Sequence, residues 1–191
     1  MKQSRKKRTP PPITSIYLQR YASWYMERWW PTTIRLRQKL LERVSLSISA
    51  HGGDREAAVV LVDELLEKLV RSGLLNDAEF ARDWTEQLHR QGNSKLAIRA
   101  KLKQKSVPDV EIQAALNGLQ GDPALASACR YVRRRRFGPY RLPEARKDRF
   151  QKDLAAMARA GHAWSVSKRV LTCQDVAELV VLEEGAAGGD T

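Results

Sequence analysis

The residues best suited to chemistry in this chain are arginines. Arg133-Arg134-Arg135-Arg136 run without a break, Arg130 precedes them, and Arg141, Arg146, Lys147 and Arg149 follow closely. Residues 130–152 hold ten basic side chains against only Glu144 and Asp148. A guanidinium donates two parallel hydrogen bonds from a planar fork, which suits phosphates and carboxylates. Any one of these arginines could simply be solvated, but so few compensating acids favour a binding face. A second group of cations recurs along the chain: Arg35, Arg37 and Lys39, then Lys95, Arg99, Lys101 and Lys103.

Catalytic patterns are missing. Gly52-Gly53 is not followed by the Gly-Lys-Ser/Thr of a phosphate loop, and no Gly-x-Ser-x-Gly elbow occurs. Cys129 and Cys173 lie far apart, and His51, His89 and His162 are isolated, so no metal-ligand spacing exists. A non-enzymatic protein with no metal or cofactor is expected. The cysteine usage also fits a reduced, cytoplasmic setting.

The chain has 191 residues and a formal net charge of +12. Two segments account for that excess: residues 1–12, with five cations and no acid, and residues 130–152. The last twenty residues are acidic. Such asymmetry suggests an oriented partner surface, with nucleic acid the commonest polyanion. The aliphatic run from Ala57 to Val62 is too short to span a bilayer, and proline follows the basic N-terminus where a signal peptide needs an apolar stretch. No membrane association is expected.

The elements that must position these cations are helices. Ala58, Leu61, Val62, Leu65, Leu66 and Leu69 make a helix-period stripe, with Gly73 as a C-terminal stop. Asn76 and Glu79 suggest a capping box, and Phe80, Ala81, Trp84 and Leu88 give the next apolar face. Asp122-Pro123 starts a helix whose stripe is Leu125, Ala128, Cys129 and Val132, ending near Arg136 with Arg130 and Arg134 opposite the stripe. A segment from about Glu144 to Gly161 is helical. Val44 to Ser49 alternates, but one strand cannot make a sheet, so it reads as a loop or frayed helix end.

Tyr21-Ala22, Tyr25 and Trp29 share their spacing with Phe80-Ala81, Trp84 and Leu88, and Leu36 to Leu40 matches Ile98 to Leu102. Tyr21, Tyr25, Trp29, Phe80 and Trp84 fall among Ala and Leu at helical spacing and are expected in the core, while Trp30 breaks that spacing and is either exposed or packed on Pro31, the second being favoured. The expected fold is all-α, an elongated curved array of three tandem three-helix repeats with about nine helices. Its parts are a disordered basic arm (1–13), repeats at 14–73, 74–121 and 122–182, and a loose acidic tail (183–191).

These residues resemble the RecX family of RecA regulators. The resemblance is clearest in Gly73-Leu74-Leu75-Asn76-Asp77-Ala78-Glu79-Phe80-Ala81 and Ile98-Arg99-Ala100-Lys101-Leu102. Arg133 to Arg141 and Asp153 to Gly161 are similar to alphaproteobacterial versions, and the likeness covers roughly residues 16–171. The chain departs from the family pattern at His162, where Phe follows the glycine, and at Ser106-Val107, where glycine precedes the aliphatic. The resemblance implies a monomeric protein that binds the RecA filament on single-stranded DNA and restrains its recombinase and coprotease activities. The cations named above would then meet acidic recombinase surfaces, DNA phosphates or both. A stand-alone helical DNA- or RNA-binding protein using the same basic face is the alternative.

Overall fold

The computed structural model describes residues 10–188. Among them are ten α-helices and one 3-10 turn, with no strand. The described residues divide into two compact units, one ending at Asp77 and the other beginning at Ala78.

In the first unit, α1 (Ser15–Trp29), α2 (Thr33–His51) and α3 (Arg55–Arg71) enclose one core. Leu18 and Ala22 come from α1, Leu36, Leu40 and Val44 from α2, and Ala58, Val62, Leu65, Leu66 and Leu69 from α3. Thr14, Thr32 and Asp54 accept backbone N–H groups at the three helix starts. Asp77 Oδ1 also accepts from the Thr33 N–H at 2.8 Å.

Residues 44–49 are neither loop nor frayed end: α2 passes straight through them to His51. Its buried positions, Leu36, Leu40, Val44 and Ser47, follow a helical period, so the alternation was coincidental to the face that packs. Ser47 tolerates burial because its hydroxyl donates to the Pro11 carbonyl at 2.8 Å. His51 Nε2 lies 3.0 Å from the Pro10 carbonyl. The expected loose arm therefore does not extend to residue 13: Pro10 is buried, and Ile13 packs on the core. The arm's cations, Lys2 to Arg8, lie outside the described residues.

In the second unit, α4 (Asp77–Arg90), α5 (Lys95–Gln104) and α6 (Asp109–Asn117) share a core of Phe80, Ala81, Leu88, Ile98, Leu102, Val107, Ile112 and Leu116. Ala22 and Ala81 are both buried, as are Leu36 with Ile98 and Leu40 with Leu102. Thr32 and Ser94 cap α2 and α5 at the same offset. The matching fails at Trp29, which is 61% exposed where its counterpart Leu88 is buried.

A further core in this unit is built by α7 (Pro123–Arg135), a 3-10 turn at Gly138–Tyr140, α8 (Pro143–Arg159), α9 (Trp164–Leu171) and α10 (Val176–Ala186). This part has four helices where three were expected. The tail is not loose from residue 183 either. Helix α10 buries Leu179 and Ala186, and the Ala186 carbonyl accepts the Asp122 N–H at 2.8 Å. Residues 189–191 lie outside the described residues.

Within this second unit the two cores meet tightly. A Cβ on Gly92 would lie 2.6 Å from the Tyr131 backbone nitrogen, and one on Gly161 would lie 2.6 Å from Ser94 Oγ. Both glycines also hold positive φ, so each is needed twice over. Ser94 Oγ donates to the Ala160 carbonyl at 2.7 Å across the same seam.

Candidate partner-binding face

Helix α7 sets the geometry. Asp122 accepts the Leu125 N–H at its start, Pro123 occupies the first turn, and Leu125, Ala128, Cys129 and Val132 are buried. Arg136 ends the helix in the left-handed conformation, at φ 56. The arginines of this helix therefore take fixed positions, and they divide into two kinds.

Some are structural. Arg130 is not on a solvent face opposite the stripe. It is largely buried, with Nε 3.0 Å from Glu183 Oε1 on α10 and Nη1 3.2 Å from His89 Nδ1 on α4. That guanidinium can only donate, so His89 Nδ1 accepts, and His89 Nε2–H donates to the Pro123 carbonyl at 2.8 Å. Burial pushes the His89 pKa below its ordinary value. The Pro123 carbonyl opposes this, and the charges of Arg130 and Lys95 add to the lowering.

Arg141 is likewise internal. Its Nε and Nη2 each lie 2.6 Å from the carboxylate of buried Asp153, and this bidentate bond raises the arginine's pKa. Arg146 donates to the carbonyls of Arg141, Pro139 and Gln174 and staples the 3-10 turn to α8.

Others face outward. Arg133 is exposed and shares Glu183 with Arg130, at 3.0 Å. Arg134, Arg135 and Arg136 are exposed and have no carboxylate partner among the described residues. Each lies over a ring: Arg134 is 5.6 Å from the Tyr131 centroid, Arg135 is 5.8 Å from Phe137, and Arg136 is 5.5 Å from Tyr140. Stacking on aromatic faces limits the freedom of the side chains while leaving guanidinium edges open to a ligand. Lys147 and Arg149 are exposed on α8.

The second group of cations is mostly committed within its own unit. Arg37 makes a bidentate pair with Asp63 at 2.7 and 3.0 Å, which lowers the Asp63 pKa. Lys39 pairs with Glu42, and Lys103 with Asp109. Lys101 donates to Asn93 Oδ1, and Arg99 to Gln113 Oε1. Arg35 lies at the long limit of a hydrogen bond to Gln38, and Lys95 is exposed.

Two features escaped the sequence reading. Helix α10 supplies Glu183, which neutralises part of the arginine face. In the first unit, Trp24 and Trp29 are 50% and 61% exposed, beside Trp30, whose break from the helical spacing already allowed exposure. The signal for Trp24 was present: it falls off the stripe through Leu18, Ala22 and Tyr25. Neither cysteine is poised for reaction. Burial pushes the Cys129 thiol up to about 12 and also raises Cys173. Among the described residues no cluster of His, Cys, Asp and Glu could hold a metal, and no helix is long and apolar enough to cross a membrane.

The second three-helix domain of RecX proteins matches residues 76–116, which are α4 to α6 almost end to end. A regulatory protein RecX from Myxococcus xanthus is 36% identical over 172 residues, covering 89% of this chain and 92% of that one. The chain belongs to the RecX family. RecX proteins from Amycolatopsis mediterranei and Agrobacterium fabrum are 34% and 33% identical, over 55% and 51% of this chain and 58% and 51% of theirs. No solved structure matches. The RecX match at residues 76–116 stops before α7, so the arginine face lies outside that domain.

Proposed function

We propose that the protein regulates the RecA recombinase by binding its filament on single-stranded DNA and restraining recombinase and coprotease activity. Family membership supports a regulatory role. The observation that carries the choice of face is the row Arg134, Arg135 and Arg136: three exposed guanidiniums, ordered by rings and lacking internal carboxylates. Arg133 directly precedes the row on α7, and Lys147 and Arg149 add exposed cations on α8. The protein acts as a cytoplasmic monomer, and its cations meet acidic recombinase side chains and DNA phosphates. Individually weak contacts carried by one chain add through effective concentration.

The test is co-sedimentation with a RecA filament on single-stranded DNA, beside each component alone, at two salt concentrations. Recovery that requires both components, and that falls when the three arginines become Gln, is expected. Equal recovery on naked DNA with a steep salt slope would instead favour nucleic-acid binding alone.

A further inference from the structure

The first unit carries a surface that the proposed filament contact does not use. On α1, Tyr21, Trp24 and Tyr25 form one aromatic group. Their ring centroids lie 5.7 Å apart for Tyr21–Trp24, 6.2 Å for Tyr21–Tyr25 and 6.5 Å for Trp24–Tyr25. Tyr21 is held from behind by the Arg43 guanidinium, 4.6 Å from its centroid. Trp24 sits at the outer edge of this group and is half exposed.

A groove of about 580 Å³ runs beside Trp24, between α1 and α3. Ala22, Leu65 and Leu69 line its floor, and Arg20 and Lys68 line its walls, with Glu27 as the one acid.

We propose that Trp24 is a stacking platform for an unpaired base of single-stranded nucleic acid, with Arg20 and Lys68 receiving the adjoining phosphates. The floor residues are each at most 9% exposed, so a docking peptide helix would gain little apolar area from them. The accessible apolar surface beside these residues is that of Trp24, which is half exposed, and an indole ring is of the kind a base can stack on. Two cations against one acid give the groove the sign that attracts a polyanion. A duplex is excluded by its own stacking, because both faces of each paired base are already covered. The neighbouring tyrosines and Arg43 fix the platform before the ligand arrives, which lowers the ordering cost of binding.

The site lies in the first unit and needs no recombinase, so its failure and that of the filament reading are separable. The full-length protein would be titrated with a labelled oligothymidylate and with a duplex of equal length, following anisotropy and tryptophan quenching without RecA. Trp24→Ala should weaken oligothymidylate binding about tenfold, a size typical of one stacked base. Trp24→Phe should restore most of the loss, and duplex binding should not change. Glu27→Gln should tighten binding. Arg20→Gln with Lys68→Gln should weaken it and flatten the salt slope. A melting curve checks each variant, and if Trp24→Ala does not fold, the charge variants decide. Unchanged oligothymidylate affinity in folded variants would overturn the proposal. So would a loss confined to filament binding, which would make the groove a protein-docking site.

Discussion

At position 162 an imidazole sits where the family pattern has a phenyl ring. It is buried against Tyr131, at 5.1 Å between ring centroids, and its Nε2 has no hydrogen-bond partner. Burial, with a smaller push from Arg134, lowers its pKa to about 4 despite a bond to the Gly92 backbone. His89 is lowered in the same direction. A histidine whose folded pKa lies below its unfolded value stabilises the fold in the neutral form. That contribution is complete above the unfolded pKa, near 6.5, and is lost as pH falls toward the folded value. We expect denaturant-measured stability to drop by about 2 kcal/mol between neutral pH and roughly pH 5. His162→Phe should remove much of that slope and raise stability at neutral pH by about 1 kcal/mol, because it buries no stranded nitrogen. Ser106 offers a parallel case. It holds φ 62, where the family pattern has glycine, and a side chain there costs about 1 kcal/mol or more. Ser106→Gly should therefore raise the melting temperature. Both departures were visible in the sequence as mismatches, but their physical cost needed the burial and the backbone angle.

Among the elements, α7 is the most legible. Its cap, proline, buried stripe and end at Arg136 all follow from local chemistry, because each depends on residues within one or two turns. The partners of its arginines do not. Arg130 meets His89, forty-one residues upstream, and Glu183, fifty-three downstream, and no periodicity encodes such encounters. Arg141 was grouped with binding cations for the same reason, although Asp153 claims it. The two kinds of arginine should separate on mutation. Arg141→Gln should destabilise by roughly 3 kcal/mol or more by leaving the Asp153 carboxylate buried and unpaired. The combined change of Arg134, Arg135 and Arg136 to Gln should leave the melting curve nearly unchanged while filament affinity falls. Equal melting losses in the two variants would erase the distinction. Gly92→Ala should cost far more than Gly73→Ala. Both have positive φ, but only Gly92 lies against another helix, whereas nothing lies within 4 Å at Gly73.

For the molecule as a whole, helix periodicity conveyed the all-α class, and the three core clusters follow the three runs of apolar stripes. At the inner edges of both ends, Pro10 to Ile13 and residues 183–186 are tied down where looseness is expected, because composition describes a terminus as polar or apolar, not what it touches. Deleting residues 1–9 should leave thermal stability unchanged. Extending the deletion through residue 12 should lower it, since Ser47 and His51 lose the Pro11 and Pro10 carbonyls. At the other end α10 closes the core of α7 to α9, and Asp122 at the head of α7 bonds to Ala186 near the end of α10. Synthesis runs from the N-terminus, so the cores of α1–α3 and α4–α6 have all their parts while α7 still lacks its last neighbour. A nascent chain halted before residue 176 would present the arginines of α7 without Glu183 and with the site of Leu179 open. Such a product should be cut readily by proteases, leaving the earlier helices intact. Protection of that surface would then rest on α10: only a chain translated through Ala186 can hide it.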